Sequence, residues 1–213
     1  MAIDKITTPA VTDDSVTLAK MAPGTDGNII SYDASGNPVA VATGTAGHVL
    51  TSAGAGAPPT FAAAGGITEV DRWLMVDQSL SSGATMTNWS RHNTSYTGVP
   101  HGTGMSGSSG VWTFPSTGVY EITIMTYLNN GTTTRLYVGI GIKGTNDAFS
   151  SNTTSLGLSY GNVTTANDHD NLVVNAIYDV TNTSNNKLKF VVNSDGACVF
   201  YTTIATFKKL MET

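Results

Sequence analysis

The chain has 213 residues, a formal net charge of −5, only 12% charged residues and 23 glycines. Typical globular proteins are about 25% charged, and a chain with few charges and many Gly, Thr, Ser and Asn residues favours an all-β extracellular or virion protein. The mild acidity and the scattered basic residues argue against a nucleic-acid partner, because phosphate binding needs clustered Lys and Arg. No stretch approaches the roughly 18 apolar residues of a membrane span, so we expect no membrane insertion.

The first 22 residues form a leader without a clear helix or strand period. Its apolar side chains fall irregularly, at Ile3, Ile6, Val11, Val16 and Leu18. The leader lacks the basic and apolar regions of a secretory signal, so we expect synthesis in a cytosol. The chain has a single cysteine, Cys198, and therefore cannot form an internal disulfide. The strand-like sequence around Cys198 predicts that it is buried in the core.

A repeat of 20 residues follows the leader. The segment 24–30, Gly-Thr-Asp-Gly-Asn-Ile-Ile, returns at 44–50 as Gly-Thr-Ala-Gly-His-Val-Leu, and Gly36 recurs as Gly56. One unit has too few apolar side chains to make a core, so repeats of this size need neighbours. Because the chain has only two units, these neighbours would be other copies, which predicts a multi-chain fibre shaft over 23–66.

The second part of the chain begins after a boundary predicted at 64–66, where Gly-Gly follows a Pro-Pro pair. Five segments with alternating apolar residues predict strands at 118–128, 135–143, 171–180, 187–192 and 198–207. Helical periodicity is absent. About eight to ten short strands over 67–213 indicate a β-sandwich that is large enough to bury its own core.

The alternation also predicts which side chains face the core. The inward set consists of Tyr120, Ile122, Ile124, Leu128, Leu136, Val138, Ile140, Ile142, Leu172, Val174, Ala176, Tyr178 and Val180. Glu121 and Thr123 would face outward. Met125 and Tyr127 make that outer face partly apolar, which leaves open whether it is solvated or covered by a neighbouring subunit.

The order of these strands resembles the C1q/TNF-like jelly roll. The segment 112–122, Trp-Thr-Phe-Pro-Ser-Thr-Gly-Val-Tyr-Glu-Ile, is similar to that family's aromatic-x-Pro-x-x-Gly-x-Tyr-x-aliphatic turn into its third main strand. The likeness continues through an Asn-rich turn before 136–144 and the closing aromatic strand that ends at Thr206-Phe207. It covers roughly 110–210 and implies a trimeric jelly roll. The chain has no collagen-like stalk, which disfavours a complement-type protein.

The N-terminal part carries a second resemblance. Residues 15–23, Ser-Val-Thr-Leu-Ala-Lys-Met-Ala-Pro, precede the two Gly-Thr-x-Gly repeats. Together they are similar to the virion-proximal segments of bacteriophage tail-fibre proteins. This resemblance implies a homotrimer whose leader, 1–22, attaches to another virion protein.

Two short motifs could carry chemistry but lack the required context. Gly139 to Gly144 fits G-x-G-x-x-G, yet no helix follows to meet a pyrophosphate, so we expect these glycines within a strand. Asp168-His169-Asp170 offers three potential metal ligands, but adjacent residues on a strand point to opposite faces. We expect a solvated loop that enters a strand at Asn171, with a calcium ion at this loop as the alternative. The sequence therefore predicts neither cofactor nor metal.

Catalytic residues are not indicated either. The histidines fall in separate segments, at His48, His92, His101 and His169. The carboxylates considered for a glycosidase pair are dispersed, at Glu69, Asp71, Glu121, Asp147 and Asp179. The pattern shows neither a nucleophile with its base nor two carboxylates across a cleft, so we predict a protein without enzymatic activity.

Three further features have more than one interpretation. The three tryptophans either pack in the core or at a subunit interface, or form a surface on which sugars stack. They are Trp73, Trp89 and Trp112. The Gly-rich segment 101–110 is either an adaptable contact loop or a mobile connection. Four lysines near the end of the chain are predicted to be solvated, at a strand end and in the tail. They are Lys187, Lys189, Lys208 and Lys209.

Together these features predict a homotrimeric bacteriophage tail fibre. Residues 1–22 would anchor it to the virion, 23–66 would form a shaft and linker, and 67–213 a jelly-roll head. The head would lock three chains in register and contact a glycan or protein of the host surface, although no receptor-binding residue is assigned. The alternatives are a capsid head fibre or decoration protein, and a surface-polysaccharide depolymerase, which would need a carboxylate-lined groove.

Overall fold

The computed structural model describes residues 23–91, 100–129, 134–165 and 167–213. The described residues are all-β and form no helix that could cross a membrane. They divide into two compact units, one ending at Ala64 and the next beginning at Gly65. The predicted leader, 1–22, lies outside the described residues.

The first unit consists of two β-hairpins, one for each sequence repeat. β1 (Ile29–Tyr32) pairs antiparallel with β2 (Pro38–Val41), and β3 (His48–Thr51) pairs antiparallel with β4 (Thr60–Ala63). The repeat therefore corresponds to a structural unit of strand, turn and strand.

The Gly-Thr-x-Gly segment forms the same turn in both repeats. The amide of Asn28 donates to the carbonyl of Thr25, and the amide of His48 donates to the carbonyl of Thr45. The glycine in each turn has a positive φ, 79° at Gly27 and 88° at Gly47. Glycine adopts this conformation at no steric cost, which explains why both repeats place it there.

The two hairpins differ in pairing register, and most of their apolar side chains are exposed. Ile29 pairs with Val41, whereas Val49, its counterpart in the second repeat, pairs with Ala62. Val41 is the only buried hydrophobic residue among those described in this unit. Large exposed apolar side chains are Ile29, Ile30, Tyr32, Val49 and Leu50.

The second unit is a sandwich of two antiparallel sheets. Its described residues form eleven strands: β5 (Val70–Met75), β6 (Gln78–Leu80), β7 (Trp89–Arg91), β8 (Ser106–Ser108), β9 (Val111–Thr113), β10 (Gly118–Asn129), β11 (Arg135–Thr145), β12 (Thr154–Val163), β13 (His169–Val180), β14 (Lys187–Ser194) and β15 (Cys198–Met211). The first sheet has the order β13-β10-β15-β5-β7, with β6 also paired to β15. The second sheet has the order β12-β11-β14-β9-β8.

The five strands predicted individually are confirmed as β10, β11, β13, β14 and β15, each slightly longer than expected. Their inner faces enclose the core, which contains Ile122, Ile140, Phe190 and the lone Cys198. Leu136 is the exception to the predicted inward set, because it is 79% exposed. The pairing of β11 with β12 shifts register between Arg135 and Val138, so the period-two alternation does not extend back to residue 136.

Candidate interaction surfaces

The outer face of the first sheet carries exposed apolar side chains near its centre. Met125 of β10 lies between Val173 of β13 and Ile204 of β15 in the pairing register, and Ile177 lies further along β13. Met125 is 45% exposed, and Val173 and Ile177 are each 55% exposed. We call Met125, Val173 and Ile177 the apolar patch.

Polar groups separate Ile177 from the other two residues of this patch, because Asn175 pairs with Thr123 in the row between them. Lys208 Nζ is 2.5 Å from Glu121 Oε2, and Asn175 Nδ2 donates to Glu121 Oε1 at 3.2 Å and to Thr123 Oγ1 at 2.9 Å. The pKa of Glu121 is lowered mainly by the hydrogen bond from Lys208 and to a smaller extent by the hydrogen bond from Asn175. Exposed apolar side chains thus alternate with polar groups that have hydrogen-bond partners, a mixture that is compatible with a protein–protein interface.

Aromatic side chains border the patch at one end of the sheet. The hydroxyl of Tyr127 is 2.6 Å from His169 Nδ1, and the two rings stack with their centroids 5.2 Å apart. The ring of Tyr201 packs edge-on against Tyr127 at 6.2 Å. His169 thus takes part in a surface aromatic cluster of this sheet.

The carboxylates beside His169 bind backbone amides. Asp168 accepts a hydrogen bond from the amide of His169, and Asp170 accepts from the amides of Asn162 and Asn171. β13 begins at His169, two residues earlier than expected. Within the described part of the chain, no three His, Cys, Asp or Glu side chains are placed to share a metal ion.

Two acidic residues bind the Gly-rich segment 101–110, Glu69 just before β5 and Asp71 within it. Glu69 accepts from the amides of Thr103 and Gly104. Buried Asp71 accepts from the amide of Met105 at 2.7 Å and forms an ion pair with Arg91 at 3.0 Å. Hydrogen bonds therefore hold the first half of this segment, and the carboxylates of Glu69 and Asp71 take part in them.

Asp147 is likewise committed to its own loop. Its carboxylate accepts hydrogen bonds from the hydroxyl of Thr145, from the amide and hydroxyl of Ser151, and from the amide of Asn152. The bonds from Thr145 and Ser151 hold the pKa of Asp147 well below its usual range. Such a carboxylate is a poor proton donor, because it stays ionised at neutral pH.

The three tryptophans belong to one cluster at the core. Trp112 is fully buried, and its ring centroid lies 4.8 Å from that of Trp73 and 5.6 Å from that of Trp89. Trp73 Nε1 donates to Asp71, and Trp89 Nε1 donates to the carbonyl of Met86. The sugar-stacking interpretation is wrong for Trp112, because its ring has no exposed face.

Other residues singled out in the sequence take separate positions. His48 lies in β3, His101 forms a backbone bridge with Val70, and His92 lies outside the described residues. The G-x-G-x-x-G glycines lie within β11, as expected. Lys209 is only 2% exposed and donates to Ser116 Oγ and Glu212, so its interpretation as part of a solvated tail is wrong.

The sandwich is similar to solved structures of TNF-like proteins. The structure of Eiger TNF from S. frugiperda matches with a TM-score of 0.50 at 13% identity, over 68% of this chain and 95% of that one. Murine APRIL matches with a TM-score of 0.49 at 12% identity, over 67% and 98%. PRD1 vertex protein P5 matches with a TM-score of 0.45 at 18% identity, over 70% and 100%.

At these identities the likeness concerns the fold alone. The second unit has a TNF-like jelly-roll fold, which confirms the expected fold class. No family model matches the chain, and no curated protein matches it at a significant level.

Proposed function

We propose that this chain is a homotrimeric structural protein of a bacteriophage virion, specifically a tail fibre. Residues 1–22 attach it to another virion protein, 23–66 form the shaft, and 67–213 form a head that holds three chains together and faces the host. The division of the described residues after Ala64 supports this assignment of segments. The observation that carries the proposal is the apolar surface that a single chain leaves open in both units.

In the shaft, the two hairpins bury almost nothing on their own. Isolated two-stranded hairpins are marginally stable at best in water, and here Ile30, Tyr32, Val49 and Leu50 stay exposed. Packing against equivalent hairpins of two further chains would cover these side chains. This is the arrangement that the resemblance to tail-fibre segments implies.

In the head, the apolar patch lies on the outer face of the first sheet. That sheet already has a packed inner face, and Met125, Val173 and Ile177 lie on its other side, where a single chain leaves them exposed. Large apolar side chains exposed together on one face of a sheet are candidates for an interaction site. We assign it to the contact between subunits, in keeping with the trimer that the jelly-roll resemblance implies.

Multi-angle light scattering of the purified full-length chain tests the assembly. The expected mass is three times the 22.1 kDa of one chain. A folded monomer at micromolar concentration would contradict the proposal.

Labelling of intact particles tests the placement. Gold-labelled antibodies against the head should decorate the tail in electron micrographs. Labelling of the capsid instead would exclude the tail assignment and favour a head fibre or decoration protein. The proposal of a homotrimer would not be affected by that result.

A further inference from the structure

The outer face of the second sheet combines aromatic and cationic side chains. In the pairing register, Gly139 of β11 lies between Tyr160 of β12 and Asn193 of β14, and further along the same strands Lys143 lies opposite Lys189. These residues alternate with the buried Val138, Ile140 and Ile142, so they share the solvent face. We call Tyr137, Tyr160, Asn193, Lys143 and Lys189 the outer strip.

One end of the outer strip is a fixed aromatic platform. A Cβ atom at Gly139 would lie 2.6 Å from the ring of Tyr160, so this ring rests on the strand at a position where only glycine leaves room. Asn193 Nδ2 donates to the hydroxyl of Tyr160 at 2.6 Å, and Tyr137 packs edge-on at 6.1 Å. Tyr160 is nevertheless 51% exposed, which leaves part of a well-oriented ring open to solvent.

The other end carries two cationic side chains, Lys143 and Lys189. Lys143 and Lys189 are directly opposite each other, and like charges in such cross-strand pairs are destabilising. The ammonium of Lys189 lies over the ring of Phe149 at 4.6 Å. Among the ion pairs of the described residues, none involves Lys143 or Lys189. This concentration of cations is notable in a chain whose net charge is −5.

Nearby acidic groups already have partners. Asp195, at the aromatic end of the strip, accepts from the amide of Leu136 and pairs with Arg135 at 3.9 Å. Asp147, in the loop after β11, binds Thr145, Ser151 and Asn152. Neither lysine therefore has a carboxylate partner among the ion pairs of the described residues, and both ammonium groups can contact an external anion.

We propose that the outer strip binds an acidic polysaccharide, with a sugar ring stacked on Tyr160 and carboxylates of neighbouring sugars paired with Lys143 and Lys189. Four residues along β11 separate the two ends, about 13 Å, so a ligand must be a chain of several sugars. This inference rests on the proposed role of the head at the host surface and names the class of ligand.

The geometry favours acidic sugars over nucleic acid. Aromatic rings pack against the apolar faces of sugar rings while hydroxyl and amide groups at the edge bond the sugar hydroxyls. Nucleic-acid sites instead use extended basic stripes with several Arg and Lys contacts to phosphates. Two lysines at one end of the strip and one tyrosine platform at the other, on a chain with net negative charge, match an acidic polysaccharide better.

Isothermal titration calorimetry of the full-length protein with tetragalacturonic acid tests the proposal. Maltotetraose serves as the neutral probe and an eight-nucleotide oligothymidylate as the other polyanion. We expect binding of the acidic tetrasaccharide and much weaker binding of both others. No detectable binding of tetragalacturonic acid, or equal affinity for either of the other probes, would overturn the proposal.

Paired variants assign the binding to the strip. Lys143→Gln with Lys189→Gln should weaken binding about fivefold to tenfold, whereas Lys143→Arg with Lys189→Arg keeps the charge and should bind as the parent does. Tyr160→Ala should weaken binding about tenfold, and Tyr160→Phe, which loses only the hydroxyl, should lose less. Unchanged affinity in the double Gln variant or in Tyr160→Ala would contradict the proposal.

Light scattering on the same samples separates the two proposals and controls for folding. A trimer that does not bind the acidic tetrasaccharide contradicts only the polysaccharide site. A monomer that binds it contradicts only the proposed trimeric fibre.

Discussion

Neighbouring residues of β10 face opposite environments, and substitutions three residues apart should have different outcomes. Ile122 is fully buried between the sheets, whereas Met125 belongs to the apolar patch. Ile122→Asp buries an unpaired carboxylate, which costs several kcal/mol and approaches a domain's whole stability of about 5–15 kcal/mol. We expect loss of soluble protein.

Met125→Asp is the matched control for this substitution. It places the same carboxylate on the outer face, so we expect a folded head with a normal circular dichroism spectrum but a lower mass by light scattering. If Met125→Asp remained a stable trimer, the subunit contact would lie elsewhere than on the apolar patch.

The pKa of Asp147 gives a prediction about acid stability. The carboxylate is stabilised in the folded state by hydrogen bonds from Thr145 and Ser151, and its pKa is lowered from 3.8. A lowered folded-state pKa means that this stabilisation is complete above the unfolded value and is lost as the pH falls through the folded value.

The comparison of the parent with Asp147→Asn isolates this contribution. The difference in melting temperature should be constant above about pH 5 and should shrink steadily below about pH 4. Other carboxylates with lowered pKa values, such as Glu121, act equally in both proteins. A difference independent of pH would show that the charge of Asp147 contributes nothing to stability.

Single residues differ in how far their sequence context determines their environment. Ile122 and Ile124 were assigned correctly because they lie in the middle of a long regular strand, where alternation is reliable. Alternation does not predict the burial of Lys209, because the fold brings its hydrogen-bond partner Ser116 to it from another part of the chain. No local pattern encodes a partner 93 residues away in the chain.

At the scale of elements, Gly118 at the start of β10 should be intolerant of substitution. Its φ is 140°, and a Cβ atom there would lie 2.6 Å from the carbonyl oxygen of Met211 and would overlap Lys209 Cε. Backbone strain of this kind alone costs about 1–3 kcal/mol. We therefore expect Gly118→Ala to lower the thermal unfolding midpoint by several degrees.

Gly65→Ala is the control for this prediction. A Cβ atom at Gly65 would meet nothing within 4 Å, so the melting temperature should stay within about 1 °C of the parent, as for most surface substitutions. Equal midpoints for the two variants would mean that the turn into β10 relaxes without cost.

Elements were predictable where one face is apolar and the other polar. β10 and β13 show this pattern and were found with nearly correct ends. β12 was not predicted individually, because Leu158 and Tyr160 face outward and its inner positions include Gly157 and Gly161. In this strand the usual relation between apolar residues and the core is reversed, since small inner residues make room for the side chains of β13.

The candidate surfaces could not be derived from the sequence. The apolar patch joins residues of β10 and β13 whose positions differ by about fifty in the chain, and the outer strip joins β11, β12 and β14. Both depend on pairing register, which is set by the packing of the whole sandwich. Only the partly apolar character of Met125 and Tyr127 pointed to the first of them.

At the scale of the whole molecule, the two units should differ in their ability to fold alone. The head, 67–213, has a continuous core of large side chains between two sheets. The described residues of the shaft bury a single hydrophobic side chain, Val41. Ordering a residue costs roughly 1–2 kcal/mol of backbone entropy, and so little apolar burial cannot offset that cost.

We therefore expect the fragment 67–213 to fold and form trimers, and the fragment 1–66 to remain unfolded and monomeric. The shaft gains its neighbours only when the heads hold three chains together, because linked chains reach an effective concentration in the millimolar range. Circular dichroism and light scattering of both fragments, with the full-length chain as reference, measure this directly. A fragment 1–66 that folded into a trimer by itself would show that the shaft, rather than the head, directs assembly, and the exposed Ile30 and Leu50 would then be the first side chains to substitute.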